Sequence, residues 1–162
     1  MRIGIGFDAH RKVVGRALVL GGVTIPSSWG LEAHSDGDVI AHAIMDALLG
    51  AANLGDKGSL FPPDDPQFKD IRSVLLLEQV CKFLTEKGFV IKNIDATVIC
   101  QEPKLSPYIQ KMKVTLAAAL AVSSMQISIK ATTTEQMGFT GRGEGIAAMA
   151  VALVESQSMP SE

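Results

Sequence analysis

The sequence predicts an α+β fold, a mixed β-sheet with helices packed on one face. Three observations carry that prediction. Segments of strand and helix periodicity alternate along the 162 residues. A Gly-Gly pair at 21–22 lies between two short apolar runs, which reads as a hairpin near the front. Several strand segments carry apolar residues pointing both ways, so the sheet face without helices needs a cover. Another subunit is the simple candidate.

Taken in order, residues 2–10 read as strand, with Ile3, Ile5 and Phe7 alternating with small residues before a polar pair. The stretch "HSDGDVIAHAIMDALLGAANLGD" is the clearest helix, with Val39, Ile40, Ala43, Ile44, Ala47, Leu48 and Ala51 forming its apolar stripe. Ser35, with Asp38 three residues on, has the spacing of a capping box. "KGSLFPPDDPQFKD", with prolines at 62, 63 and 66, reads as loop. A second helix, "RSVLLLEQVCKFLTEKG", is expected to stop at Gly88. "FVIKNIDATVICQ" reads as strand, and "SPYIQKMKVTLAAALAV" as a helix with Pro107 in its first turn. "QISIKATTT" alternates like a strand, and β-branched content favours strand over helix for "GIAAMAVALV".

Composition bounds what this chain does. Hydrophobic residues make up 47% and charged residues 20%, ordinary for a soluble globular protein, and residues 1–162 read as one domain. A net charge of -2 provides no broad basic field, so nucleic acid is not an expected partner. No apolar run approaches the roughly 20 residues that cross a bilayer, so no membrane is expected either. The opening residues lack a signal-peptide core and cleavage site. Cys81 and Cys100 have no metal-like spacing, and both read as reduced and buried in a cytoplasmic protein.

The chemistry starts at "FDAH". Residues i and i+2 of a strand share a face, so Asp8 and His10 converge. With His42 from the first helix they offer one oxygen and two nitrogens. Such a set suits zinc or a similar divalent ion and leaves a coordination position open. The same residues read equally as a hydrogen-bonded surface pair and an ordinary helix histidine. His34 and Ser35 precede the helix, where N–H groups and the positive dipole end favour a phosphate; Ser35 as a plain cap is the competing reading. A second polar cluster, "KATTTEQMGFTGRGEG", brings hydroxyls from Thr132, Thr133 and Thr134, a hard oxygen from Glu135 and a phosphate fork from Arg142. Arg142 also reads as half of an inter-subunit ion pair with Glu144.

Together, "GFDAH", "AHSDGDVIAHAIMDALLGAANLGDKGSLFP" and "KATTTEQMGFTGRGEGIA" resemble the signatures of the 2-C-methyl-D-erythritol 2,4-cyclodiphosphate synthases, and the resemblance runs from Met1 to about residue 155. It implies conversion of 4-diphosphocytidyl-2-C-methyl-D-erythritol 2-phosphate to the cyclic diphosphate with release of CMP, in the non-mevalonate route to isoprenoid precursors. It implies a homotrimer with active sites between subunits, which would cover the bare sheet face. Zn²⁺ would be held by Asp8, His10 and His42, and Mg²⁺ or Mn²⁺ on the diphosphate by Glu135. His34 and Thr133 would be catalytic, stabilising the transition state.

The same resemblance places substrate contacts at Asp8, His10, His34 and Ser35, and at Asp56, Lys57, Gly58, Phe61 and Asp65 beside the ribose and erythritol parts. Cys100, Lys104, Leu105 and Ser106 fall in the cytosine pocket, with further contacts at Thr132, Thr133, Thr134, Glu135, Phe139 and Arg142. One departure stands out. The family loop commonly reads F-P-D-T-D-P, whereas Pro63 here replaces a carboxylate and removes a backbone donor. Two other readings of these motifs are a zinc-dependent phosphoester hydrolase, with metal-bound water as nucleophile, and a nucleotide-binding protein without turnover.

Overall fold

Glycine decides how the first strand packs. In the computed structural model, which describes residues 1–157, β1 (Arg2–Val14) presents Gly4, Gly6, Asp8 and His10 to one face and Ile3, Ile5 and Phe7 to the other. The first helix, α1 (Val39–Ala52), lies directly over Gly4 and Gly6. A methyl group at either glycine would overlap backbone atoms of Ala43, Ala47 or Ala51. Helix and strand therefore meet backbone to backbone through small residues, and the large apolar side chains of β1 point away from the helix.

The remaining strands build outward from this contact. They are β2 (Leu18–Leu20), β3 (Val23–Ile25), β4 (Trp29–Leu31), β5 (Phe89–Ile99), β6 (Ile127–Thr132) and β7 (Gly145–Ser156). The main sheet has the order β4-β1-β7-β5-β6, parallel only at β5–β6, so it is mixed as expected. β2 and β3 form the anticipated hairpin, with Gly21 and Gly22 both at positive φ, as a two-residue turn requires. The other helices are α2 (Lys57–Leu60), α3 (Ser73–Glu86), α4 (Ile109–Ala119) and α5 (Gly138–Gly141). Helices α1, α3 and α4 cover one sheet face, burying Leu48, Leu77, Leu84, Ile94, Met112 and Val154 between the layers.

Four expectations need correction. Helix α1 begins at Val39 and is capped by Asp38, not Ser35. The Asp38 carboxylate accepts N–H bonds from Ile40 and Ala41 in the helix and from Gly21 and Gly22 in the hairpin, so four otherwise unpaired donors meet one buried group. Pro107 lies in the turn before α4 rather than inside it, where the Tyr108 N–H bonds to the Leu105 carbonyl. The proline-rich segment contains α2 and a 3₁₀ turn at Pro66–Phe68. Cys81 is only half-buried, while Cys100 is in the core; both are free thiols.

The sheet face opposite the helices is bare and graded. Ile3, Ile5, Phe7, Met149 and Val151 are exposed at its β1–β7 side, with Ile3 at 73% of full exposure. Towards β5 and β6 the same face turns polar, with an Asp95–Lys130 ion pair.

Candidate active site

Strand parity and helix position together assemble the first part of the site. Asp8 and His10 continue the glycine face of β1 beyond the end of α1's contact, and His42 sits in the first turns of that helix. Asp8 Oδ2 is 2.9 Å from His42 Nδ1 and 3.0 Å from His10 Nε2, and the two imidazole nitrogens are 3.2 Å apart. Donors about 2.0–2.1 Å from a tetrahedral ion stand roughly 3.3 Å from one another. The triangle is thus close to the size a divalent cation needs, with a hard oxygen and two borderline nitrogens as donors, and it fits the expected metal.

The site's electrostatics follow from its neighbours. Burial alone would push the Asp8 carboxyl up, but hydrogen bonds and charge from His10 and His42 outweigh it and hold it well below the usual carboxylate range. The free oxygen, Oδ1, faces Lys57 Nζ at 3.3 Å, and that ammonium also donates to Asp46 Oδ2 at 2.8 Å. Burial opposes the charge on Lys57, yet the Asp46 hydrogen bond and the charges of Asp8 and Asp46 hold its pKa above the ordinary value. Asp46 Oδ1 also accepts the Lys57 backbone N–H at 2.8 Å, so a single carboxylate on α1 fixes both the start of α2 and its cation. Sequence reading missed Asp46; its spacing of one helical turn from His42 was the available signal.

A cavity of about 470 Å³ opens beside the triangle, lined by His10, His34, Ser35, His42, Asp56, Lys57, Gly58, Phe61 and Pro63 among others. Its floor is held by Arg16, whose guanidinium donates to the carbonyls of Ala33 and Ser35. His34 Nε2–H donates to the Asp65 carbonyl at 3.0 Å, which ties the proline-rich loop to the site. Phe61 and Phe68 pack edge to face across that loop. Asp65 caps the 3₁₀ turn through Gln67 N–H, and Asp56 caps α2 through Ser59, which lowers the Asp56 pKa. Ser35 is buried, its hydroxyl 3.2 Å from His42 Nε2.

The second group of expected residues lies elsewhere. Asp8 pairs with Ala148, Ala148 with Val98 and Val98 with Ala131, which puts three strand spacings, about 14 Å, between the metal triangle and β6. Thr132, Thr133, Thr134 and Glu135 follow at the end of β6. The Thr133 hydroxyl donates to Glu135 Oε1 at 2.5 Å, and Thr134 shares a 2.9 Å hydroxyl bond with Thr140. Glu135 and Gln136 both adopt left-handed backbone, costing of order 1 kcal/mol each. Cys100 and Leu105 are buried, so only their backbone can meet a ligand, while Lys104 and Ser106 are exposed. Phe139 lines a smaller hollow with His10, Arg11 and Glu144. Arg142 Nε pairs with Glu144 Oε1 at 2.7 Å within the chain.

Comparison with known proteins agrees with this geometry. The model of the YgbB family matches residues 1–155. A 2-C-methyl-D-erythritol 2,4-cyclodiphosphate synthase of Moorella thermoacetica is 59% identical over 154 residues, covering 95% of this chain and 94% of the relative. The bifunctional IspDF of Campylobacter jejuni superposes with a TM-score of 0.93 at 45% identity, covering 96% of this chain and 42% of that one. IspF of Plasmodium falciparum, solved as a CDP complex, gives 0.85 at 34% identity over 97% of each chain. The relatives carry the synthase name, and the hydrolase reading finds no support among them. With its motifs, sheet order and metal triangle all in accord, the chain belongs to the YgbB family.

Proposed function

We propose that this chain converts 4-diphosphocytidyl-2-C-methyl-D-erythritol 2-phosphate to 2-C-methyl-D-erythritol 2,4-cyclodiphosphate and CMP. The observation that carries the reading is the Asp8–His10–His42 triangle opening onto a cavity large enough for a sugar phosphate. An oxygen of the 2-phosphate forms a bond to the β-phosphorus, the bond from that phosphorus to the bridging oxygen breaks, and its electron pair leaves with CMP. No water is consumed. The attacking oxygen is already anionic, so the site requires positioning and charge neutralisation rather than a protein nucleophile.

Zn²⁺ on Asp8, His10 and His42, with Mg²⁺ or Mn²⁺ at Glu135, would supply charge stabilisation to the diphosphate and the leaving group. His34, anchored through Nε2 to the loop, lines the cavity. Lys57 adds a held cation beside it, and Asp56 and Gly58 offer contacts for the sugar part. Thr133 offers a donor to the developing charge, and residues 100–106 a pocket for cytosine. Those residues lie at the far edge of the sheet, three strands from the triangle of their own chain, and a homotrimer whose sites combine two neighbouring copies would bring the edge of one copy to the triangle of the next. The bare apolar face of β1 and β7 supports the same assembly.

The test is ³¹P NMR of the purified protein with the proposed substrate and Mg²⁺, with and without a zinc chelator. Two coupled cyclic-diphosphate resonances with equimolar CMP, lost on chelation, are expected. Open-chain phosphate products would assign a hydrolase instead.

A further inference from the structure

His42 is held from behind by a buried relay. Its Nε2 lies 2.9 Å from Ser73 Oγ, the first residue of α3, which is fully buried. Ser73 Oγ in turn lies 2.5 Å from Asp36 Oδ1, and the Ser73 backbone N–H bonds to Asp36 Oδ2 at 3.0 Å. The Asp38 N–H reaches Oδ1 of the same carboxylate at 3.2 Å. Arg72, at the capping position of α3, makes no side-chain cap bond, so Asp36 caps that helix from outside it.

Proton direction along this relay is fixed by what each group can do. A carboxylate only accepts, so the Ser73 O–H must donate to Asp36. With its one proton committed, Ser73 Oγ can only accept from His42. A His42 that gives Nδ1 to a cation therefore keeps its proton on Nε2, donated to Ser73; without the cation Nδ1 can instead donate to Asp8 Oδ2, 2.9 Å away, so the relay competes with Asp8 for the tautomer. A tautomer set this way is what a metal-binding imidazole needs, because the ligating nitrogen must be bare.

We infer that Asp36 and Ser73 are positioning residues that hold His42 in its Nε2–H tautomer and so prepare Nδ1 for the divalent cation. The assignment rests on the metal reading of the triangle. It adds two residues, 36 and 73, that are not among the expected metal or substrate contacts.

The experiment measures the tautomer directly, by long-range ¹H–¹⁵N correlation of metal-free protein labelled at histidine, beside Zn²⁺ affinity from chelator competition. The native chain is expected to show a larger Nε2–H population at His42 than either variant, against the pull of Asp8 on Nδ1. Ser73→Ala should mix the tautomers and weaken Zn²⁺ by about 10- to 100-fold. Asp36→Asn should do more: its amide can donate to Ser73 Oγ, turning the hydroxyl proton towards His42 and favouring the Nδ1–H form. Circular dichroism melts establish that each variant is folded. A native Nε2–H population no larger than that of the variants would overturn the inference, as would an unchanged Zn²⁺ affinity in both variants. If the tautomer shifts as expected but no form binds Zn²⁺, the relay stands and the metal reading falls.

Discussion

The two corners of the candidate site are built on different terms. At the metal corner, three donor atoms converge within one chain, on a strand and a helix locked together through Gly4 and Gly6, with buried groups behind them. At the proposed nucleotide corner, Glu135 is exposed and Thr133 half-buried, and the two are hydrogen-bonded mainly to each other at the far edge of the sheet. The first corner is preorganised by its own fold. The second presents groups whose partners must come from a ligand or another copy. Rigid elements thus carry the costly task of clustering like ligands, and the edge is left to meet a second surface.

The sharpest way to break this comparison is at the metal corner. His42→Ala should abolish Zn²⁺ retention and lower turnover by about a thousandfold or more, the several kcal/mol that Lewis-acid stabilisation supplies. Metal content by mass spectrometry and CMP release measure both, and the variant should still unfold cooperatively. Full zinc with full rate would remove the triangle from the mechanism.

Next comes the nucleotide corner. Thr133→Ala should lower turnover by about a hundredfold, with zinc content intact, as loss of one donor to the transition state does. The two variants together test where the corners meet. If each site joins the metal corner of one copy to the nucleotide corner of the next, refolding His42→Ala with Thr133→Ala should regenerate about a quarter of the native sites. Activity no greater than that of either variant alone would place both corners in one chain.

Much of this was legible in the sequence, and the rest was hidden for definite reasons. Alternation located β1 and β6, β-branched content favoured strand for β5 and β7, and the helical stripe located α1, because each is long enough to register. Strand β4 and helices α2 and α5 span three or four residues, too few for any period to register. Period also says nothing about direction. Ile3, Ile5 and Phe7 look like core, yet Gly4 and Gly6 face the helix because only they let its backbone approach. Asp8, His10 and His42 were findable from residue type, strand parity and the shortage of histidines. Ser73 and Asp36 are 37 positions apart, and nothing local couples them. The cap at Asp38 displaced the one expected at Ser35 because the hairpin supplies two extra donors, a tertiary fact.

The glycine contact gives a smaller effect. Gly6→Ala drives a methyl group into the α1 backbone, and overpacking of this kind costs about 1–3 kcal/mol. A lower melting temperature is expected, together with weaker zinc binding, since α1 carries His42. Alanine at the exposed Gly50, where nothing would meet the added carbon, should leave both unchanged.

The smallest effect probes how closed the nucleotide corner is in a single chain. Burial pushes the Cys100 thiol up to about 11, with the Glu102 backbone hydrogen bond pulling the other way and the Glu102 charge adding to the rise. Its Sγ–H donates to the Glu102 carbonyl, so the thiol also braces the loop that begins the expected cytosine pocket. Below an ordinary thiol pKa of about 9, folded and unfolded chains hold this proton alike. Between about 9 and 11 only the folded chain keeps it, so this group's contribution to stability falls as pH rises through that window. Alkylation of Cys100 by iodoacetamide should accordingly climb about tenfold per pH unit from 8 to 10 without a plateau. A plateau near pH 9 would mean that the loop opens readily, and that the nucleotide corner is ordered only by what binds it.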